Sequence, residues 1–163
     1  MLTLAMAILG FLGWRAHQQT YVWRDSVSLF RHILNYLGDD PYRSDIYYRL
    51  GKVHDDRGNF TQAVQYMEMA RAIRPDPEVS RGLGIAYGEL GHFDLAVHRF
   101  NEAIRLDPDF VGAYSNYAVL LARQGNLTEA MVYVQKALEH DPENEKARAL
   151  RNWLMEQREK TRD

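Results

Sequence analysis

Small, apolar and turn-forming residues recur along this chain at a fixed interval. Gly51, Gly84 and Ala118 are separated by 33 and then 34 residues. The same two intervals separate Gly58, Gly91 and Gly125, and Pro75, Pro108 and Pro142. They recur for Ala63, Ala96 and Ala130, and for Ala70, Ala103 and Ala137. Columns that share one spacing mark an internal repeat of this period, which implies stacked supersecondary units. The pattern predicts two helices per unit. Glycine inside a helix costs about 1 kcal/mol relative to alanine, so Gly51 and Gly84 imply a first helix that a neighbour approaches closely. The alanine columns meet that approach from the second helix. Leu50, Leu83 and Tyr117 fill space from the first helix, as do Tyr47 and Tyr114 three residues earlier. Met67, Phe100 and Val134 do so from the second. Gly58, Gly91 and Gly125 end the first helix, as glycine does just past a C-terminus. Thr61, Asp94 and Thr128 are the expected N-caps of the second. The prolines close it, since proline cannot continue a helix.

Small, aromatic and proline positions in this order resemble the tetratricopeptide repeat over roughly residues 44–144. The resemblance implies an all-α fold, an α-solenoid of antiparallel helix pairs wound into a superhelix. The units are expected at 44–76, 77–110 and 111–144. Ser80 stands where Tyr47 and Tyr114 stand in the other units, so Val79 is expected to supply the packing there. His54 takes the place of Tyr87 and Leu121.

Both ends depart from the repeat, as terminal units of an array do. Residues 145–163 predict a charged capping helix and tail, with Ala147, Leu150 and Leu154 on one stripe and Trp153 beside it. Upstream, residues 21–43 read as a degenerate half repeat. Its helix carries Val27, Phe30, Ile33, Leu34 and Leu37, is capped by Asp25 or Ser26, and is stopped by Gly38 and Pro41. Residues 1–20 form a separate apolar segment. Met1 to Trp14 holds no charged side chain, and Trp14, Tyr21 and Trp23 follow as aromatics do at a membrane boundary. A bilayer span needs about 20 apolar residues, more than this stretch supplies alone. It is expected to be the last part of a membrane helix, with residues 1–14 touching the bilayer. A signal or anchor segment and a buried first helix of a divergent repeat remain open. The apolar stretch, Trp14, Trp23-Arg24-Asp25 and Leu29-Phe30 ahead of the repeats are similar to the junction in membrane O-mannosyltransferase-type proteins bearing such repeats. That similarity implies a periplasmic or lumenal array, accessory to or C-terminal in a membrane glycosyltransferase; a cytoplasmic array is the alternative. No catalytic residue carries over.

Composition narrows the chemistry. The net charge is −2, without the basic excess of a nucleic-acid binder. Cysteine is absent, which excludes disulfides and thiol nucleophiles. The six histidines form no zinc-ligand spacing. His98 and Glu102 share a helix face but read as a solvated pair, and Asp55 and Asp56 are adjacent and do not face each other. Neither cofactor, metal nor enzymatic activity is expected. Asn59-Phe60-Thr61 and Asn126-Leu127-Thr128 match the glycosylation acceptor pattern, but the inter-helix turn explains both.

The expected activity is therefore binding of a protein or peptide. In the resembled family the first helices line a concave groove. At helical spacing, groove residues are Asp45, Tyr48, Arg49, Lys52 and Asp55 in the first unit. Glu78, Arg81, Ile85 and Glu89 follow in the second, then Gly112, Ser115, Asn116, Val119 and Arg123 in the third. A short peptide or a helix is the expected occupant. Reversing the charge of Arg81 and Lys52 is expected to weaken binding without unfolding the array. Chaperone-tail-binding members clamp a terminal carboxylate with lysines, asparagines and an arginine. The corresponding positions here are Tyr48, Lys52, Gly82, Gly112 and Asn116, and only Asn116 keeps that chemistry. Self-association through exposed array ends is a further possibility.

Overall fold

The computed structural model describes residues 26–160, and among these all regular structure is helical. The helices are α1 (Ser26–Tyr36), α2 (Arg43–Asp56), α3 (Phe60–Ile73), α4 (Pro77–Glu89), α5 (Phe93–Leu106), α6 (Val111–Arg123), α7 (Leu127–His140) and α8 (Glu145–Lys160). The apolar segment 1–20, Tyr21, the Trp23-Arg24-Asp25 motif and the Asp25 cap lie outside the described residues. Among those described, no helix is long and apolar enough to cross a membrane.

Turn chemistry sets the pairing. Gly58, Gly91 and Gly125 have φ of 74°, 77° and 79°. That left-handed conformation lets the next amide reach back over the last turn. Asn59 N–H donates to His54 O at 2.8 Å, and His92 to Tyr87 and Asn126 to Leu121 do the same at 2.9 Å. The carbonyls that end α2, α4 and α6 are thereby satisfied, and the chain reverses in a few residues. The prolines act from the other side. Arg74, Asp107 and Asp141 are held extended ahead of them, with φ near −140°, because proline disfavours helical geometry in the residue before it.

The expected caps are corrected by the structure. Asn59, His92 and Asn126 occupy the N-cap positions, so Thr61, Asp94 and Thr128 lie inside α3, α5 and α7. The Gly–Asn and Gly–His turns already orient the chain, and Phe60, Phe93 and Leu127 begin the helices. Only Asn126 uses its side chain, accepting from Glu129 N–H at 3.4 Å.

Packing is sequential. α2 pairs with α3, α4 with α5 and α6 with α7, while α3–α4, α5–α6 and α7–α8 join neighbouring pairs. α1 packs on α2. The helices α2, α4, α6 and α8 also touch in succession, whereas the backbones of α3, α5 and α7 diverge from one another. One layer is therefore tighter than the other, and the array curves towards α2, α4 and α6. Across the divergent side a polar lattice joins α3 to α5. Glu68 pairs with Arg71 and Arg99 at 2.9 Å, Glu102 pairs with Arg99 at 2.9 Å and with Arg71 at 3.3 Å, and Tyr87 donates to Glu68 at 3.2 Å. Glu102 is thus committed to arginines, and exposed His98 has no share in it.

The repeat columns form the core. All six column alanines, Leu50, Met67, Leu83 and Val134 are fully buried, and Phe100 is 1% exposed. A Cβ on Gly51 would lie 2.6 Å from Met67 Cγ, and one on Gly84 would lie 2.7 Å from Phe100 Cε1. Helix contact is that close at these columns. Val79 packs against Met67, Ala70 and Leu83, as expected. His54 stacks on Tyr66 at 5.3 Å. At the C-terminal end Ala147 and Leu154 close the core, leaving Trp153 44% exposed.

Candidate functional site

The face of α2, α4 and α6 carries three hollows, and most of the groove residues expected from the sequence line them. The first, about 380 Å³, lies between α1 and α2, with Ser26 and Phe30 on one side and Asp45, Tyr48, Arg49, Lys52 and Val53 on the other. The second, about 110 Å³, lies between α4 and α6. Ile85, Glu89, Asn116, Val119 and Arg123 rim it above Gly84, Gly88, Phe100 and Leu120. The third, about 460 Å³, joins Arg81, Gly112, Ser115 and Asn116 to the α7–α8 connection and the start of α8. Asp55 lines none of the three; it is half-buried and faces Lys52 Nζ at 3.5 Å. Ser115 is only 9% exposed, and its hydroxyl has no hydrogen-bond partner among the described residues.

Most groove charges are neutralised within the chain. Tyr48 donates to Glu78 Oε1 at 3.0 Å, and Arg81 holds the same carboxylate through Nε at 3.1 Å and through a second guanidinium nitrogen. Burial pushes the Glu78 carboxyl up, but the Arg81 guanidinium outweighs it and holds the group below the ordinary carboxylate range. Burial, then Glu78, pushes the Tyr48 phenol well above its ordinary value. Glu89 is paired by Arg123, Asp45 by Arg74 at 2.7 Å, and Asp56 by Lys52 at 2.6 Å. Arg49 lines the first hollow and Asn116 the second and third, and neither has such a partner among the described residues.

Arg81 is placed differently from a simple groove cation. Its side chain is 20% exposed, its Cζ lies 5.9 Å from the Phe110 ring centroid, and its Cδ would be 3.2 Å from a Cβ on Gly112. It fastens α4 to α6 as well as facing the groove. The same packing crowds two of the positions that a carboxylate clamp would use. A Cβ on Gly82 would lie 3.0 Å from Met67 Sδ, and that on Gly112 is crowded by Arg81 and Phe110. The two glycine positions are filled by neighbours, and Tyr48 is turned onto Glu78.

The sequence reading missed the far wall of the third hollow, where Asp141, Glu143, Asn144, Glu145 and Lys146 gather. A signal for it existed. Glu145 falls 34 residues after Val111, so α8 starts in register with the first helices. It extends the inner layer against α6 rather than only covering the core.

Comparison with known proteins decides the family. Residues 44–77 match one tetratricopeptide-repeat model and residues 81–145 match another. The chain is a tetratricopeptide-repeat protein. Both models describe repeats and neither a catalytic domain. Solved structures agree on the fold of this repeat array. The first repeat domain of Spaghetti (RPAP3), bound to the HSP90 peptide SRMEEVD, aligns over 72% of this chain and 94% of its own, at 21% identity and a TM-score of 0.66. The second repeat domain of human RPAP3, in complex with the HSP70 peptide SGPTIEEVD, covers 71% of this chain and 98% of its own, at 19% identity and a TM-score of 0.64. The yeast Sti1 TPR2B domain in its pHsp70 complex covers 71% and 98%, at 21% identity and a TM-score of 0.66.

Proposed function

We propose that this chain is an interaction module that holds a peptide segment of another protein along α2, α4 and α6. The observation that carries this is the row of three hollows on the tight layer, the second of which has an apolar floor beneath the paired Glu89 and Arg123. Peptides bind at such faces through a few side-chain anchors and unmatched polar groups. Similar arrays in RPAP3 hold an HSP90 or an HSP70 peptide, and the one in Sti1 forms a pHsp70 complex. The crowded Gly82 and Gly112 argue that this groove holds its peptide by other contacts than a terminal-carboxylate clamp.

The test is selection of random dodecamer peptides on the immobilised full chain. Selected peptides should bind wild type and lose at least tenfold in affinity on Val119→Asp, a change on an exposed groove position. Met69→Asp on the opposite layer should leave affinity unchanged. No selected peptide, or equal losses from both substitutions, overturns the proposal.

We also propose that the module sits beside a membrane, supported by the uncharged stretch from Met1 to Trp14. Deleting residues 1–20 should move the protein from the membrane pellet to the supernatant while its helical signal persists. A full-length chain already in the supernatant contradicts this.

A further inference from the structure

Two stretches matching the glycosylation acceptor pattern, Asn59-Phe60-Thr61 and Asn126-Leu127-Thr128, stand at the same point of the repeat. In the sequence the turn accounts for both, with the asparagine following a helix-ending glycine and the threonine capping the next helix. The structure withdraws that account. Thr61 and Thr128 lie inside α3 and α7, both are exposed, and neither is a cap. The middle unit shows that the turn needs no asparagine either. His92-Phe93-Asp94 takes the same place there, makes the same backbone bond from His92 N–H to Tyr87 O at 2.9 Å, and starts α5 without a side-chain cap. The left-handed glycine and that backbone bond make the turn by themselves.

The two matches differ in what the asparagine does. Asn126 uses both ends of its amide. Its Oδ1 accepts from Glu129 N–H at 3.4 Å, and its Nδ2 donates to Glu129 Oε2 at 2.6 Å. The nitrogen that a sugar must reach is therefore held by a carboxylate. Asn59 is exposed, and its side chain makes neither a cap nor another hydrogen bond among the described residues. Its backbone is engaged at both ends, N–H to His54 O at 2.8 Å and O from Ala63 N–H at 3.0 Å. The free carboxamide is what Asn59 presents to solvent. Phe60 and Thr61 complete the pattern, which excludes only proline in the middle and needs a hydroxyl two residues on. They lie in the first turn of α3, where N–H groups have no partner inside the helix, so extending the segment breaks few bonds. Asn59 borders none of the three hollows of the groove face, so a bulky group on it leaves the groove open.

We infer that Asn59 is an acceptor site for an N-linked glycan. The inference rests on the array standing beside a membrane, and it adds the side: the lumenal or periplasmic one, with a polyprenyl-diphosphate-linked oligosaccharide as donor. In the transfer, Asn59 Nδ2 forms the bond to the anomeric carbon. The bond from that carbon to the diphosphate oxygen breaks, and the lipid diphosphate leaves with the electron pair. The amide gives up one proton and keeps the other. The glycan then stands on the α2–α3 turn, solvated and clear of the core.

Translating the full chain with glycosylation-competent microsomes tests this. The array should become protected from added protease, and the chain should gain mass that peptide N-glycosidase removes. That enzyme leaves aspartate wherever a glycan was attached, so mass spectrometry of the peptides reads the site. Position 59 should be converted, and to a greater extent than position 126. Asn59→Gln and Thr61→Ala should each abolish the modification at 59, whereas Thr61→Ser, which keeps a hydroxyl, should retain it. A protected chain without modification at 59, or with more at 126 than at 59, overturns the inference and leaves the membrane reading standing. A pelleted chain whose array is digested also overturns the inference alone, and puts the array on the cytoplasmic side. A chain that stays in the supernatant overturns both.

Discussion

Replacing Phe100 with alanine is expected to destabilise the array by about 4 kcal/mol, in the range measured for fully buried aromatic truncations. Phe100 is 1% exposed, stacks on Tyr117 at 5.7 Å, and lies in the core shared by the second and third helix pairs. A repeat array is held by contacts between neighbours, so a cavity there loosens one unit and uncouples the units on either side. Urea unfolding followed by circular dichroism should show a lower midpoint and a broadened transition. Gly84 supplies an internal check. Three ring atoms of Phe100 lie 2.7, 2.8 and 2.9 Å from where a Cβ on residue 84 would stand. In the wild type, Gly84→Ala should cost about 1–3 kcal/mol by overpacking, despite the roughly 1 kcal/mol that alanine gains in a helix. In the Phe100→Ala background the added methyl enters the cavity, so the same change should be neutral or stabilising. Contacting residues couple in this way. Equal destabilisation in both backgrounds would mean that the glycine column exists for some other reason.

That contact was legible in the sequence because the array repeats it. Gly51 against Met67 and Gly84 against Phe100 are one arrangement written twice, and periodicity alone pairs the columns. The same holds for the glycines at positive φ and the prolines that end α3, α5 and α7. The second-helix caps were not legible, because Thr61, Asp94 and Thr128 are good capping residues in isolation. What decides the start is the backbone after a left-handed glycine, and this puts Asn59, His92 and Asn126 at the cap. The groove was legible as a set of positions on the first helices, since helical spacing fixes which way a side chain points. How those side chains are engaged was not. Ion pairing between helices depends on rotamers and on distances across the stack, so Tyr48 meeting Glu78, or Glu89 meeting Arg123, has no signature along the chain. The far wall of the third hollow was hidden differently. A charged last helix reads as a cap, and only its 34-residue phase with Val111 shows that it also takes the place of a fourth first helix.

Arg81 shows the consequence, and Arg81→Glu alone is expected to destabilise the folded array by about 2 kcal/mol. Removing one member of a fully buried pair costs roughly 3–5 kcal/mol. Here the side chains are 20% and 41% exposed, and water screening reduces the effect. The substitution sets two carboxylates one helical turn apart, removes the hold on Glu78 shared with Tyr48, and empties the space Arg81 fills beside Phe110 and Gly112. The pH dependence separates this from a general loss of packing. In the wild type the Glu78 carboxyl is held below its ordinary value, so the stability it contributes is present above the unfolded-state value and is lost as pH falls through the folded one. In the variant, repulsion raises the carboxyls at this site. Their penalty is present at neutral pH and relieved as pH falls towards the ordinary glutamate range. The gap between variant and wild type in urea midpoint should therefore narrow on acidification. A gap that stays constant between neutral and mildly acidic pH would assign the loss to packing. An unchanged midpoint at neutral pH would return Arg81 to the role its helical position first suggested, a groove cation with no part in holding α4 to α6.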